Sequence, residues 1–149
     1  MGAKLGMKGC LYYKPGGVAG PGAWTLLGNV KDVTLGLEKG EADVSTRANN
    51  GWRATVATLK EGSVEWEMVW DPEDAGMQAI FDAWLDDAVI GLTILDGPLA
   101  TAGSQGLRAD FVITKFGREE PLEEGMKCPV TAKITFSATP PEWHVVPAA

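Results

Sequence analysis

Hydrophobic residues alternate with polar ones along most of this chain, the period-two signature of strands buried on one face. Val33, Leu35 and Leu37 share a face, with Asp32, Thr34, Gly36 and Glu38 opposite. Val64, Trp66, Met68 and Trp70 repeat the pattern against Glu65 and Glu67. Leu107, Ala109, Phe111 and Ile113 oppose Arg108, Asp110 and Thr114. The longest alternation runs through Cys128, Val130, Ala132, Ile134, Phe136 and Ala138, against Thr131, Lys133, Thr135, Ser137 and Thr139. Val89 to Leu95 is apolar on both faces apart from Gly91 and Thr93, which predicts a strand covered on both sides.

The period changes once. Met77, Ile80, Phe81, Trp84 and Leu85 follow i, i+3, i+4, i+7, i+8 spacing, with Gln78, Asp82 and Asp86 on the wet side. Asp71 suits an N-cap, Pro72 the first helical position, and Glu73 and Asp74 the positive end of the helix dipole. The spacing predicts a helix over 72–87 whose aromatic stripe is core. Turn signals separate the elements: Asn50-Gly51, Asp96-Gly97-Pro98 opening a small-residue loop to Gly106, and the charged connection Gly117 to Gly125.

No repeat, low-complexity tract or long linker divides the 149 residues, so a single domain is expected over 1–149. Lys14 to Gly22 holds six Gly or Pro in nine positions and cannot extend a helix or a ladder. Residues 1–23 therefore read as an N-terminal arm, with Leu11-Tyr12-Tyr13 either a docking tip or part of a mobile terminus. Residues 24–139 form the body and 140–149 a Pro-rich tail. The fold class is mainly β: a sandwich or barrel of two antiparallel sheets with one flanking helix.

Thirteen basic and twenty acidic residues give a net charge of -7, and no Lys/Arg run interrupts it. That balance argues against a protein whose task is to grip nucleic acid, because such binding rests on cations replacing counterions on phosphates. No stretch approaches the roughly 20 apolar residues of a membrane-spanning helix. Met1 to Cys10 lacks the apolar core of a secretion signal, which predicts production in the cytoplasm.

Chemistry-bearing residues are few. Cys10 and Cys128 lie far apart and read as reduced thiols, and His144 is the sole histidine. Together they do not supply a zinc site, and no metal or cofactor is expected. A nucleophilic triad needs a positioned base, and His144 sits in a Pro-flanked segment. Asp86-Asp87, Glu119-Glu120 and Glu123-Glu124 fall at element ends, where solvated charge is normal. The Gly-rich segment 16–22 lacks the Gly-Lys-Ser/Thr of a phosphate loop. No enzyme is expected.

Of six tryptophans, Trp66, Trp70 and Trp84 fall on core faces. Trp24, Trp52 and Trp143 begin or end elements, where they close barrel ends or meet a neighbour. Gly40 to Gly51 is too polar for core, yet Ala42 and Val44 alternate as in a pairing strand. An ordinary solvent hairpin closed by Asn50-Gly51 and a loop that orders on a neighbouring molecule both fit this mixture.

In order and texture the chain resembles the major tail tube proteins of long-tailed, lambda-like bacteriophages. The similarity runs from the arm into Trp24-Thr25-Leu26-Leu27-Gly28-Asn29-Val30-Lys31-Asp32-Val33, then Ala42-Asp43-Val44-Ser45-Thr46-Arg47 and the Trp52 strand. It continues through the acid-capped helix Asp71 to Asp87 to the closing Phe136-Ser137-Ala138-Thr139. It covers nearly the whole chain, without an invariant motif. The resemblance implies a virion protein forming six-membered rings, stacked into a hollow tube that conducts the genome during ejection. Implied partners are further copies of the chain, the terminator, tape-measure and baseplate or tip proteins, and DNA in transit only, with no membrane. Subunit contacts would come from the arm (Tyr12, Tyr13) and the loop (Glu41, Asp43, Val44, Arg47, Asn49). Thr131, Lys133 and Thr135 would face the lumen. A type VI secretion tube of the haemolysin-coregulated type and a monomeric β-sandwich binding module using the Asp96–Gly106 loop are the alternatives.

Overall fold

The computed structural model describes residue 3, residues 5–123 and residues 125–147. Met1, Gly2, Lys4, Glu124, Ala148 and Ala149, parts of the expected arm, carboxylate pair and tail, lie outside the described residues. The chain is mainly β. Its strands are β1 (Cys10–Pro15), β2 (Thr25–Leu26), β3 (Val30–Asp43), β4 (Thr55–Val69), β5 (Ile90–Leu95), β6 (Gln105–Phe116), β7 (Lys127–Ile134) and β8 (Glu142–Val145). Helix α1 (Ala75–Leu85) lies between β4 and β5.

The strands expected in two sheets are hydrogen-bonded into one antiparallel sheet of order β2-β1-β5-β6-β7-β4-β3, with β8 pairing β6. The sheet rolls on itself. Leu35 of β3 and Ile94 of β5 are four strands apart, about 19 Å on a flat sheet, yet they line one hollow together with Trp143. Curling replaces the second sheet: the inner surface encloses its own core.

The alternating residues of β4, β6 and β7 supply that core as their pattern requires. Val64, Trp66, Met68, Leu107, Ala109, Phe111, Ile113, Cys128, Val130 and Ala132 are buried, and β5 is buried on both faces. Each such large side chain contributes about 1.5–3 kcal/mol through apolar area removed from water. Trp70 is half-buried against this cluster.

Several further sequence expectations are corrected. The helix starts at Ala75, not 72, because Asp71-Pro72-Glu73 forms a separate turn. In it the Glu73 N–H donates to Asp71 Oδ1 (3.1 Å) and the Asp74 N–H to the Asp71 carbonyl (3.0 Å). Asp74 is the cap, its Oδ2 accepting from the Met77 N–H at 2.9 Å. The helix buries only the narrow stripe Gly76, Met77, Ile80 and Ala83. Phe81, Trp84 and Leu85, expected in the core, are exposed, with Phe81 resting on Phe116 at the very end of β6.

The final strand ends at Ile134 rather than near Thr139, and Phe136 is 92% exposed. The edge of β6 accounts for this. β7 pairs it over Phe111–Phe116, while β8 occupies Gln105–Arg108, so the chain must leave the sheet between them. The segment expected as a tail thus contributes a strand, with His144 opposite Gly106.

The expected arm is likewise part of the body. Tyr12 and Tyr13 lie in β1 between β2 and β5, 8% and 7% exposed. The Tyr12 hydroxyl accepts from the Leu99 N–H at 2.8 Å. The Gly-rich run behind them folds over β5 and β6. There Trp24 stacks under the Arg108 guanidinium (4.8 Å) and the Lys14 ammonium (5.5 Å), and Gly17 and Val18 crowd against Gly91.

Candidate self-assembly surface

The longest strands make the least covered structure. β3 and β4 pair from Val30↔Met68 out to Asp43↔Thr55, whereas β7 covers β4 only over Ser63–Val69. Beyond Leu37 and Gly62 the two strands have only each other, and they project as a two-stranded ribbon. Such ribbons are marginal in water when nothing packs on them. This one is irregular between Lys39 and Glu41. A Cβ at Gly40 would collide with the Thr58 hydroxyl.

The ribbon carries apolar surface into solvent. Leu37, Val44 and Val56 are exposed, and Leu59 and Trp52 are 81% and 80% exposed. Its tip is nevertheless held by local bonds. The Val44 N–H donates to the Ala54 carbonyl (2.9 Å), the Ser45 N–H to Asp43 Oδ1 (2.8 Å), and the Ala54 N–H to Ser45 Oγ (2.7 Å). The bonds from Ser45 hold the Asp43 carboxyl below its usual range. Thr46 caps a short 3₁₀ turn at Arg47–Asn49, and a left-handed Asn50-Gly51 pair turns the chain back, bonded from the Trp52 N–H to the Asn49 carbonyl at 3.0 Å. The Asn50-Gly51 turn signal was therefore legible, but it closes the tip of a 14-residue strand rather than a short loop.

Of the residues expected at subunit contacts, Glu41, Asp43, Val44, Arg47 and Asn49 are brought together at this end of the ribbon. Tyr12 and Tyr13 are not; both are buried in β1 of their own subunit. Asn49 is half-buried, and its Nδ2 has no hydrogen-bond partner.

Thr131 and Lys133 lie on the face of β7 opposite the core, and Thr135 follows the end of that strand. Cross-strand register makes a continuous polar row, Thr34–Glu65–Thr131–Lys115, with Ser63 beside Lys133. The Lys127 ammonium reaches Glu67 at 3.9 Å on the same face. Acids and bases are interleaved, with no run of uncompensated cations.

A second exposed apolar area was invisible to the periodicity, which assigned it to the core. Phe81 stacks on Trp84 (6.2 Å) and meets Phe116 edge-on (5.2 Å), with Leu85 beside them. Helical spacing alone does not say how wide a stripe the sheet covers.

Among the described residues no three of His, Cys, Asp and Glu cluster as metal ligands. Burial pushes the Cys128 thiol up, against the pull of Arg118. Burial and Arg108 push the His144 imidazole down, against Glu142. Among the described residues no helix is long and apolar enough to cross a membrane.

No curated protein matches the chain in sequence. Solved structures do match its fold. The tail of an empty gene transfer agent particle, refined with C6 symmetry, superposes with a TM-score of 0.73 at 14% identity, over 96% of this chain and 98% of that one. The tail tube of phage SPP1 gives 0.73 at 15% identity, over 98% and 81%. A chain in the baseplate of the anti-feeding prophage gives 0.64 at 6% identity, over 98% of both. The phage tail tube protein family matches residues 13–138 in sequence, and with an open-edged, rolled sheet bearing an unpartnered ribbon, the chain belongs to that family: it is a structural protein of a virion tail tube.

Proposed function

We propose that six copies close into a ring and that rings stack into the tube through which the genome leaves. The observation that carries this is the β3–β4 ribbon, whose outer half is paired on no side but its own and bears exposed Trp52 and Leu59. Apolar residues held out on an ordered ribbon gain stability only when something covers them. β3 is also an open edge 14 residues long, a liability that closure against a copy removes. The C6 symmetry of the gene transfer agent tail supports six as the ring number.

In this reading Glu41, Asp43, Val44, Arg47 and Asn49 touch a neighbouring subunit, and Phe81 and Trp84 offer a second contact. The polar face with Thr131, Lys133 and Thr135 lines the lumen. Interleaved charge suits a conduit, since uncompensated lysines or arginines would hold passing phosphates. The tube ends bind the terminator and the baseplate or tip, and the lumen holds the tape measure before DNA. The role is structural, without turnover.

The test shortens the ribbon. Lys39 and Lys60 are directly paired, so replacing residues 40–59 by Asn-Gly closes a two-residue hairpin between them. The shortened protein is expected to stay folded, with a far-UV spectrum still dominated by β structure and cooperative melting, yet to form no rings or tubes by electron microscopy. Normal tubes from it would remove the ribbon from assembly.

A further inference from the structure

At the root of the ribbon the register sets like charges against each other twice in succession. Glu38 is the direct partner of Glu61, and Lys39 is the direct partner of Lys60. Directly opposed like charges destabilise a strand pair. All four side chains are exposed, and among the described residues none of the four forms an ion pair within its own subunit. A one-residue slip, or an exchange of Lys60 and Glu61, would have paired Glu with Lys; the sequence does neither.

Successive residues of a strand point to opposite faces. The lysine pair follows Leu35 and Leu37 onto the face continuous with the core, and the glutamate pair follows Thr34 and Gly36 onto the polar face. The ribbon is thus cationic on one side and anionic on the other at nearly the same level. Two ribbons stacked face to face in one direction bring the lysine pair of one over the glutamate pair of the next, offset by about 3.4 Å along the strands. A long Lys side chain spans that offset. The contact is head-to-tail, so each copy offers one pair and receives the other, as a ring or stack requires.

We infer that Lys39 and Lys60 of one subunit clasp Glu38 and Glu61 of the next, and that the intrasubunit mismatch is resolved only in the assembled tube. This rests on the self-assembly reading above and adds to it the order in which copies pair and the residues that enforce it. Glu38 and Glu61 lie beyond Ser63↔Lys133, the last pair between β4 and β7, and so on the projecting ribbon rather than on the covered body of the sheet.

The experiment uses two charge reversals of the full chain. Glu38→Lys with Glu61→Lys makes both sides of the ribbon cationic; Lys39→Glu with Lys60→Glu makes both anionic. Each keeps a like-charge pair wherever one was directly opposed, and the four-fold exchange also restores the original balance of two cations and two anions at the root of the ribbon. Either variant alone is expected to need at least about tenfold more protein to assemble, read by sedimentation and electron microscopy. Mixing the two in equal amounts, or combining all four substitutions in one chain, restores assembly to within about threefold of the unaltered protein. Unaltered assembly by either single-pair variant, or failure of both the mixture and the four-fold exchange, overturns the clasp while leaving self-assembly standing. Absence of rings or tubes from the unaltered protein overturns the reading on which it rests, and the clasp with it.

Discussion

The carboxylate of Asp110, buried in β6, accepts a hydrogen bond from the backbone N–H of Val18 at 2.6 Å, 92 residues earlier in the chain. The same carboxylate accepts from the Ser137 hydroxyl, and its backbone carbonyl from the Thr135 N–H at 3.1 Å. One side chain therefore fastens the Gly-rich segment after β1 and the segment between β7 and β8 to the middle of the sheet. Gly17, at φ 102° and with a Cβ position 2.9 Å from Asp110 Oδ1, lets the backbone approach that closely.

Asp110→Ala should cost about 1–3 kcal/mol in urea denaturation, because it strands two half-buried donors, the Val18 N–H and the Ser137 hydroxyl. Asp110→Asn should cost less, since one acceptor oxygen survives. Amide exchange at Val18 should quicken in both, and an unchanged rate there would mean the bond does not hold the segment.

Gly106 stands where β5 and β8 flank β6, opposite Leu95 and His144. A Cβ there would lie 1.5 Å from the Ile94 carbonyl oxygen. Gly106→Ala is expected to cost at least about 3 kcal/mol, since backbone rather than a flexible side chain must yield. Gly28→Ala, with nothing within 4 Å of its Cβ position, is the matched control and should melt like the unaltered protein.

Within α1, Ile80→Ala should cost about 2–5 kcal/mol, because the residue is fully buried. Trp84→Ala should cost less than the roughly 3–5 kcal/mol of a fully buried Trp, because Trp84 is 40% exposed. Its effect should fall on assembly instead. A Trp84→Ala protein that melts far below the unaltered one would return Trp84 to the core.

His144 gives the fold a modest acid sensitivity. Its imidazole is held below its usual 6.5 by burial and by Arg108, with Glu142 opposing. In the unfolded chain it takes a proton at higher pH than in the folded one, so the unfolded state binds more protons between the two values. The contribution is fully present above about pH 6.5 and is lost as pH falls through the folded value. His144→Gln should flatten the decline in urea midpoint between about pH 7.5 and 5.5. An identical decline in both proteins would assign it to carboxylates.

Period-two alternation was enough to place the core faces of β4, β6 and β7 and the double-sided burial of β5, because a strand's inward residues must be apolar wherever a layer covers them. The turn at Asn50-Gly51 was equally local, set by a left-handed backbone conformation that few residues tolerate. Which strand lies beside which was not local. Leu11-Tyr12-Tyr13 reads as a sticky arm because three apolar residues in a row carry no period, and only the neighbours β2 and β5 make them interior. Met77, Phe81 and Trp84 are equivalent on a helical wheel; the extent of the sheet beneath decides that one is buried and two are not. Glu38, Lys39, Lys60 and Glu61 look like an ordinary solvated charge pattern until register sets like against like. Local pattern fixes conformation and inward faces, because both depend on a few adjacent residues. Register, edge coverage and the reach of the ribbon are decided by contacts between residues far apart in the chain, which only the folded sheet brings together.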